Sequence, residues 1–478
     1  MVSVQVVVVG GGPGGYAAAF LAADLGLKTA LVDPEVNPGG VCVYRGCIPS
    51  KALLHIASLV GEARHADAWG VSFGEPTINL DKLRGFKDAV VKRLTSGTGL
   101  LAKSRKVHYV QGLGELVDAN TLLVKLASGG EETIQFEHAI LATGSVPVVP
   151  PALRIPGDGD PRVMDSTSAL DLPDIPNSLL VVGGGYIGLE LGSVYAALGS
   201  AVTVVEMTDG LLPGADRDLV DVLAKRLKQT MKTVLLKTRV TQLKPESGGI
   251  RVTFDGEQVG GNDVAREQVF DRVLVAVGRR PNASVPGLDR TRVRLDERGF
   301  IVVNEQMRTD EPSILAIGDV AGEPMLAHKA SHEGRVAAEV IAGEKSAFAP
   351  RAIPAVVFTD PEIAWAGLTE TQAQKAGRPV TIAKFPWAAS GRALTLDRLD
   401  GLTKLVVDPL TERILGVGLV GPNAGELIAE GVLAIEMGAN VTDLKLSIHP
   451  HPTLTETLME SAEVFFGQAT HVYKPKRS

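Results

Sequence analysis

The chain begins with an apolar pattern that predicts the first unit of an alternating strand and helix fold. Residues 6–9 are four consecutive valines, which is typical of a parallel strand buried on both faces. The glycine-rich residues 10–15 follow, and the Ala- and Leu-rich residues 16–25 predict a helix. A second apolar strand at 29–32 then ends at Asp33.

The same pattern of apolar and glycine-rich positions returns later in the chain. A strand is predicted at 179–182, followed by the sequence Gly-Gly-Gly-Tyr-Ile-Gly, an apolar helix and a strand at 201–205. Glu206 ends that strand, as Asp33 ends its counterpart. In both copies the acidic residue lies 23 positions after the first glycine, Gly10 or Gly183.

Each copy has the glycine spacing G-x-G-x-x-G between a strand and a helix. These glycines permit a tight turn and a close backbone approach, so that a pyrophosphate can lie at the helix N-terminus and the acid can bind a ribose hydroxyl. One such loop is a weak signal, because ordinary turns also use glycine. Two loops in the complete setting predict two dinucleotide sites. At the second site Glu206 would repel a 2′-phosphate, which favours NAD over NADP.

The only two cysteines of the 478 residues, Cys42 and Cys47, lie within six positions of each other. Five residues of ideal helix rise about 7.5 Å, whereas a disulfide allows only about 4.4–6.8 Å between α-carbons. Bridging the two cysteines therefore needs an irregular segment, for which Gly46 gives freedom. Two unrelated buried thiols are the alternative, but the clustering favours a catalytic dithiol and disulfide pair. Beside two dinucleotide sites, it suggests a relay of disulfide, flavin and nicotinamide, with the flavin in the first domain.

Charge and hydropathy exclude several classes of partner. The net charge of −7 and the pI near 5.8 disfavour nucleic acid or an anionic membrane surface. No apolar run approaches the roughly 20 residues of a membrane span. The N-terminus enters the first strand without a basic or amphipathic leader, so we expect a cytoplasmic protein.

Two histidines near the C-terminus, His449 and His451, each precede a proline. A thiol with its ordinary pKa is mostly protonated at neutral pH, so dithiol oxidation needs a base, and imidazole suits that role. Glu456 could orient such an imidazole. A metal pair and inert turn histidines are the alternatives, although two histidines without further ligands nearby make a poor zinc set.

Over essentially its whole length, the chain resembles the flavoprotein pyridine nucleotide-disulfide oxidoreductases, and within them the dihydrolipoamide dehydrogenases. Besides the two glycine loops and the histidine segment, the resemblance rests on four motifs. They are Gly-Gly-Val-Cys-Val-Tyr-Arg-Gly-Cys-Ile-Pro-Ser-Lys at 39–51, Ala-Thr-Gly at 142–144, Val-Ala-Val-Gly-Arg-Arg-Pro-Asn at 275–282 and Ala-Ile-Gly-Asp at 316–319.

The resemblance implies an α/β fold with two Rossmann-like dinucleotide-binding domains, for FAD and NAD, and a C-terminal α+β dimerisation domain. The implied layout is an FAD-binding domain at 1–150, an NAD-binding domain at 151–277, a central domain completing the FAD site at 278–347 and an interface domain at 348–478. The residues implied for FAD are Gly10, Gly12, Gly15, Asp33, Gly40, Val41, Cys42, Lys51, Gly114, Thr143, Gly144, Asp319 and Ala327. Those implied for NAD are Gly183, Gly185, Tyr186, Ile187, Gly188, Glu206, Val240, Ala276, Gly278 and Arg279.

The resemblance also implies a mechanism and partners. Dihydrolipoyl groups would be oxidised to lipoyl groups with reduction of NAD⁺, through a Cys42–Cys47 disulfide and FAD. The implied base is His451, oriented by Glu456 and contributed by the second subunit of a homodimer. Lys51, one helical turn beyond Cys47, would lie by the flavin and pair with Glu190. The substrate arm would come from the lipoyl domain of a 2-oxo acid dehydrogenase acyltransferase, as in the pyruvate dehydrogenase complex, or from the glycine cleavage H protein.

One residue departs from the family pattern, and two alternative functions are open. Tyr44 stands between the cysteines where relatives usually carry asparagine, and nothing in the sequence explains the difference. Another NAD-linked disulfide reductase is the alternative enzyme. A flavin-binding structural subunit is the alternative from another class, although docking alone would not require Cys42, Cys47, Lys51 or His451.

Overall fold

A computed structural model describes residues 1–157, 159–257, 259–260 and 265–473. It confirms the predicted α/β class, with a mixed, mostly parallel sheet, then a parallel sheet, and an antiparallel sheet at the C-terminus. None of the helices in these ranges is long and apolar enough to cross a membrane. The predicted domain boundaries at 150, 277 and 347 stay predictions.

The N-terminal region is built around the four valines, which are buried in the centre of a sheet. The first strand pairs in parallel with the second and the fifth, and the fourth joins the third and fifth by antiparallel ladders. In chain order the elements are β1 (Val2–Val9), α1 (Pro13–Asp24), β2 (Thr29–Asp33), α2 (Gly40–Arg45), α3 (Cys47–His65), α4 (Leu80–Ser104), β3 (His108–Asp118), β4 (Thr121–Leu126), β5 (Glu131–Leu141) and β6 (Ser145–Pro147).

The second region repeats the strand, glycine loop and helix of the first. Its elements are β7 (Val163–Met164), β8 (Ser178–Val182), α5 (Tyr186–Leu198), β9 (Ala201–Val205), α6 (Arg217–Thr230), β10 (Thr233–Leu235), β11 (Thr238–Glu246), β12 (Gly249–Gly256), β13 (Glu267–Phe270), β14 (Arg272–Val275) and β15 (Arg279–Pro281). A parallel sheet has the order β10-β9-β8-β14-β7, and β11 to β13 form a separate antiparallel sheet. β15 pairs with β6 and so leads the chain back to the first region.

The central segment adds a strand to the first sheet. β16 (Ile314–Ala316) pairs in parallel with β5, and α7 (Ala327–Ile341) packs along α1. Gly14 and Gly334 lie at that helix contact, where a Cβ on Gly334 would collide with the carbonyl oxygen of Gly14. The small residues therefore let α7 lie close against the helix that follows the first glycine loop.

The C-terminal region is an antiparallel sheet covered by helices. The sheet has the order β17-β18-β21-β20-β19, and Trp387 is fully buried in its core. The elements are β17 (Ala355–Val357), β18 (Glu362–Gly367), α8 (Glu370–Lys375), β19 (Thr381–Pro386), α9 (Gly391–Thr395), β20 (Leu402–Val407), β21 (Ile414–Gly421), α10 (Ala424–Met437), α11 (Val441–Leu446) and α12 (Glu456–Phe466).

Candidate functional site

The first glycine loop joins β1 to α1 with a geometry that only glycine adopts easily. Gly10 has φ +107°, and a Cβ there would also collide with the carbonyl oxygen of Ala142. Gly12 has ordinary backbone angles, and a Cβ built on it would meet no atom within 4 Å. Asp33 accepts the amide N–H groups of Gly11 and Glu35. Burial raises the pKa of Asp33, against the lowering effect of the Gly11 amide.

A cavity of about 440 Å³ opens from this loop between the first and second regions. Its size lies in the usual range of about 300–1,000 Å³ for small-molecule sites. The space beside Gly12, the N-terminus of α1 and Asp33 together fit the pyrophosphate and ribose of a dinucleotide. The cavity is lined by all thirteen residues predicted for FAD, together with Cys47, Tyr186, Ile187, Glu190 and Arg279.

The two cysteines lie on the cavity wall at the junction of α2 and α3. The backbone leaves helical geometry at Gly46, with φ −145° and ψ −115°, which confirms the predicted irregular segment. Both cysteines are described as free thiols, so the disulfide itself stays a prediction. A hydrogen bond from Cys42 lowers the pKa of Cys47, which is exposed to the cavity, to about 7 against the desolvation by the surrounding walls, and the Lys51 ammonium adds to the effect. The same hydrogen bond and burial raise the pKa of Cys42. Cys47 is therefore the thiol that ionises first.

Lys51 and Glu190 form the ion pair that the family resemblance implies, across the boundary between the two regions. The Lys51 Nζ lies 2.8 Å from the Glu190 Oε2, and the Glu190 carboxylate is almost fully buried. Its other oxygen accepts the amide N–H of Phe358 at 3.0 Å, and the Phe358 ring lies 4.4 Å from the Lys51 ammonium. Phe358 was missed by the sequence reasoning, because it lies outside every motif and 168 positions after Glu190.

Asp319 and Arg279 meet at the far side of the cavity. Asp319 accepts a hydrogen bond from the Ser145 hydroxyl, and the Arg279 Nε donates to the same hydroxyl oxygen at 2.7 Å. Arg279 was predicted for NAD, and the structure places it on the wall that carries the residues predicted for FAD. Ser145 was also missed; it follows directly after the Ala-Thr-Gly motif, and its position there is the signal that could have found it.

The second glycine loop reproduces the geometry of the first. Gly183 has φ +112°, and the Gly184 amide donates to the Glu206 carboxylate at 2.7 Å. The other Glu206 oxygen accepts the amide and the hydroxyl of Thr208. A Cβ on Gly185, as on Gly12, would meet no atom within 4 Å. This loop therefore also leaves room for a pyrophosphate at the N-terminus of α5.

Three other residues predicted for NAD lie around the parallel sheet of the second region, and Val240 lies on β11 of the separate antiparallel sheet. Gly188 packs under the loop, and Ala276 and Gly278 follow β14. Val240 is buried in the hydrophobic cluster beneath β11 and β12. Its predicted contact with NAD stays a prediction.

The two C-terminal histidines have different surroundings. The ring nitrogens of His449 lie 2.8 Å from the carbonyl oxygen of Ser447 and 2.7 Å from the Glu430 carboxylate, and the side chain is only 6% exposed. His451 is 73% exposed, and its Nδ1 lies 2.9 Å from the Glu456 carboxylate. Its Nε2 has no hydrogen-bond partner within the part of the chain that the structure describes.

The Glu456 carboxylate is held in place by two hydrogen bonds. Burial raises the pKa of Glu456, but hydrogen bonds from the Thr453 amide and from His451 outweigh it and hold the pKa below its ordinary value. The carboxylate therefore stays charged and can stabilise a protonated His451. Neither His451 nor Glu456 lines the cavity that holds the cysteines.

One acidic group has the spacing of a metal site among the residues with described positions: Asp216, Asp218 and Glu370. The ammonium of Lys404 lies 2.7, 2.8 and 3.1 Å from these three carboxylates, and Lys404 is fully buried. The lysine supplies the positive charge that a metal ion would bring. The cluster therefore acts as a buried ion-pair network that ties α6 to the C-terminal sheet.

Two family models cover most of the chain. Residues 4–334 match the model described as pyridine nucleotide-disulphide oxidoreductase, and residues 353–462 match the dimerisation domain of that family. The dihydrolipoyl dehydrogenase of Haemophilus influenzae is 49% identical over 475 residues, which cover 99% of this chain and 98% of that protein. The dihydrolipoyl dehydrogenase of Thermus scotoductus is 46% identical, with 99% of each chain covered.

Solved structures of similar proteins have the same architecture. LpdA of Mycobacterium tuberculosis has a TM-score of 0.87 at 28% identity, with 97% of this chain and 99% of that chain covered. The HOCl-induced flavoprotein disulfide reductase RclA of Escherichia coli has a TM-score of 0.83 at 28% identity, with 95% and 98% covered. On the matched models and the full-length relatives together, the chain belongs to the pyridine nucleotide-disulphide oxidoreductase family.

Proposed function

We propose that this protein oxidises dihydrolipoyl groups to lipoyl groups with reduction of NAD⁺. The carrying observation is the cysteine pair on the wall of a dinucleotide-sized cavity, with Cys47 beside the Lys51–Glu190 ion pair. Full-length relatives at 43–49% identity are dihydrolipoyl dehydrogenases, which supports this substrate over other disulfides. The family uses FAD and NAD.

The residues present fit FAD in the first region. The loop at Gly10, Gly12 and Gly15 would hold the pyrophosphate, Asp33 the adenosine ribose, and Asp319 the opposite end of the cofactor. When bound, FAD supplies a carrier for the electron pair that passes from the reduced cysteines to NAD⁺. At the second loop, Glu206 would bind the ribose hydroxyls of NAD and disfavour a 2′-phosphate.

Substrate oxidation begins with proton removal by the exposed Nε2 of His451. The resulting substrate thiolate attacks the Cys42 sulfur, the Cys42–Cys47 bond breaks, and Cys47 leaves as a thiolate. The second substrate thiol then attacks the substrate sulfur that is bound to Cys42. A cyclic disulfide forms, and Cys42 is released and protonated. Two electrons enter the cysteine pair, with one proton on Cys42 and the other on His451.

The electrostatics of the pair suit this sequence of steps. The Lys51 ammonium lowers the pKa of Cys47, which favours Cys47 as the leaving group, because a more stable thiolate leaves faster. The Lys51 ammonium faces that developing charge, and Glu190 holds Lys51 in place. The hydrogen bond from the Cys42 thiol to Cys47 is the arrangement expected of the reduced product.

The match to a dimerisation domain supports a homodimer. We infer that His451 and Glu456 serve the cysteines of the other subunit, since they do not line the cavity within one chain. His451 is preferred to His449 as the base, because both His449 ring nitrogens are engaged and its side chain is buried. A lipoyl domain from a partner protein would bring the substrate, and the cytoplasm remains the predicted location.

An assay with the flavin-loaded protein tests the proposal. We expect NAD⁺ reduction with dihydrolipoamide, and little turnover with glutathione or with NADP⁺. Faster turnover of another dithiol would instead favour a different NAD-linked disulfide reductase. Flavin-loaded protein that oxidises no dithiol would favour a structural role.

A further inference from the structure

Residues 34–38, named the 34–38 loop, connect β2 to α2 without regular secondary structure. Almost every backbone carbonyl oxygen of this loop nevertheless accepts a hydrogen bond from a side chain. Such a segment needs hydrogen-bond partners from elsewhere when it lies against the protein. Side chains from β3, α2 and α4 supply them. The carbonyl oxygens of Pro34, Glu35, Asn37 and Pro38 accept hydrogen bonds from Gln111, Tyr109, Tyr44 and Thr98, respectively.

Tyr44, unexplained by the sequence, makes two of the contacts with this loop. Its hydroxyl donates to the Asn37 carbonyl oxygen at 3.0 Å and accepts the Asn37 amide at 3.2 Å. The ring lies over Gly39, where a Cβ would come within 3.0 Å of it. The phenol thus satisfies both backbone groups of one loop residue from a position between the redox cysteines.

Arg45, the next residue, holds the other end of the loop. It forms an ion pair with Glu35, and both side chains line the large cavity. Its charge also acts on Asp33 and lowers the pKa of that carboxyl, against the larger effect of burial. Arg45 and Tyr44 therefore connect α2 to the residues directly after the ribose-binding acid.

The end of the loop continues into the first glycine loop. The Gly39 amide donates to the Gly11 carbonyl oxygen at 2.7 Å, and a Cβ on Gly40 would lie 2.5 Å from the Gly12 Cα. The start of α2 is therefore packed directly on the predicted pyrophosphate site. Asp33, the 34–38 loop, the glycine loop and the cysteine helix behave as one connected unit.

We propose that Tyr44 and Arg45 are positioning residues for the adenosine half of FAD. They fix the 34–38 loop, and through it Asp33 and the cavity wall, in the geometry that retains the cofactor. Tyr44 does not line the cavity, and Arg45, which does, acts through its ion pair with Glu35 rather than through contact with the cofactor. This inference rests on the FAD-dependent function proposed above.

The test measures the dissociation rate constant of FAD from the holoenzyme, followed by the rise of flavin fluorescence after dilution. Tyr44→Phe keeps the ring and removes only the hydroxyl, and it should speed FAD release about 5- to 10-fold, as expected for one lost hydrogen-bonding group. Arg45→Met should speed release about threefold, because a half-exposed ion pair contributes little. Arg45→Lys should restore most of the retention.

Tyr195→Phe is the matched control, since its hydroxyl donates one hydrogen bond, to the Ala169 carbonyl oxygen, in the second region. It should lower the melting temperature at least as much as Tyr44→Phe does and leave FAD release unchanged. If Tyr195→Phe speeds release equally, general destabilisation explains the effect and the inference fails.

A double-mutant cycle separates positioning from direct contact. In the Glu35→Gln background, Arg45→Met should change FAD release by less than about 1.5-fold, since its partner is already lost. An undiminished effect would mean that Arg45 acts on FAD or on Asp33 without its ion pair to Glu35, and would overturn the inference that Arg45 acts by fixing the 34–38 loop. Unchanged release in Tyr44→Phe would also overturn it. Failure of the unaltered chain to bind FAD would instead refute the proposed function.

Discussion

The two glycine loops share a backbone and differ in what covers them. Gly10 and Gly183 have φ +107° and +112°, and in each loop the next amide donates to the acid at the end of the following strand. The first loop lies under α2 and against α7. Beside the second, Met207 is 74% exposed.

This difference matches the tasks proposed for the two loops. A cofactor that stays bound through many turnovers needs walls from several elements, which the first loop receives from α2, α7 and the 34–38 loop. A nucleotide that must enter and leave in each turnover needs an open loop, as at Gly185. The same glycine fingerprint can therefore hold a retained cofactor or an exchanging nucleotide, depending on the elements packed around it. The fingerprint alone does not distinguish these two uses.

The largest expected effect is on oxidation of the dithiol substrate, with little effect on the reaction of the nucleotide. His451→Gln removes the proposed base and should lower dihydrolipoamide oxidation about 10²- to 10⁴-fold. NADH oxidation with ferricyanide as acceptor should stay within about twofold, because neither loop needs His451. Steady-state kinetics with both substrate pairs measure this. His449→Gln is the control and should lower dihydrolipoamide oxidation less than His451→Gln does. If His451→Gln preserved dithiol turnover, His451 would have no role in the mechanism.

Gly12→Ala tests the covered loop. The Gly12 backbone angles suit alanine and the added methyl meets no protein atom, so the chain should fold. The methyl fills the predicted pyrophosphate space, and we expect the FAD affinity to fall at least about 100-fold. Flavin content and titration of the apoprotein with FAD give the result. Full flavin occupancy in this variant would place the cofactor elsewhere.

Gly185→Ala is the equivalent change in the open loop. Its backbone angles, φ −79° and ψ 176°, are again compatible with alanine. Flavin content should be normal, whereas the KM for NAD⁺ should rise about 10-fold or more. Loss of flavin from this variant, or an unchanged KM, would break the assignment of the second loop to NAD.

Glu206→Gln sharpens the choice of nucleotide. Loss of the charged acceptor should raise the KM for NAD⁺ about 10-fold, as for a lost hydrogen bond to a charged group. The preference for NAD⁺ over NADP⁺ should fall, because the repulsion of a 2′-phosphate is removed. The ratio of kcat/KM for the two nucleotides reports this change. An unaltered ratio would show that another group selects the nucleotide.

The smallest effect concerns the charge beside Cys47. In Lys51→Met the pKa of Cys47 should rise from about 7 by about one unit, since an ammonium no longer favours the thiolate. At pH 7 the reduced enzyme would then hold less thiolate, and the difference would vanish above both pKa values. Thiolate absorbance near 240 nm across pH measures the shift. Lys237→Met, which alters an exposed ion pair with Glu257, should show none.

The features predicted from the sequence are those set by local chain geometry. The glycine positions, Asp33 and Glu206 follow from the rules of a strand, turn and helix unit, and the break at Gly46 follows from disulfide dimensions. The Lys51–Glu190 contact came only from the family resemblance, because 139 residues separate the two.

The contacts that the sequence did not reveal depend on tertiary packing. Phe358, directly after β17, reaches the Lys51–Glu190 pair, and Glu430, on α10, reaches His449. Neither position belongs to a motif, so no local spacing marks them. Tyr44 remained unexplained because its partner, Asn37, lies in a loop without a regular pattern. Arg279 was assigned to NAD on the family resemblance, and the pairing of β15 with β6 brings it to the first cavity.

The most direct test of the account is a rapid-mixing experiment with flavin-loaded Cys42→Ser under anaerobic conditions. Mixing with NADH should reduce the flavin at close to the rate of the unaltered enzyme, because the second loop is intact. Mixing with dihydrolipoamide should leave the flavin oxidised, because the thiol that receives the substrate is missing. Flavin reduction by dihydrolipoamide at an undiminished rate would contradict the claim that electrons enter through the cysteine pair.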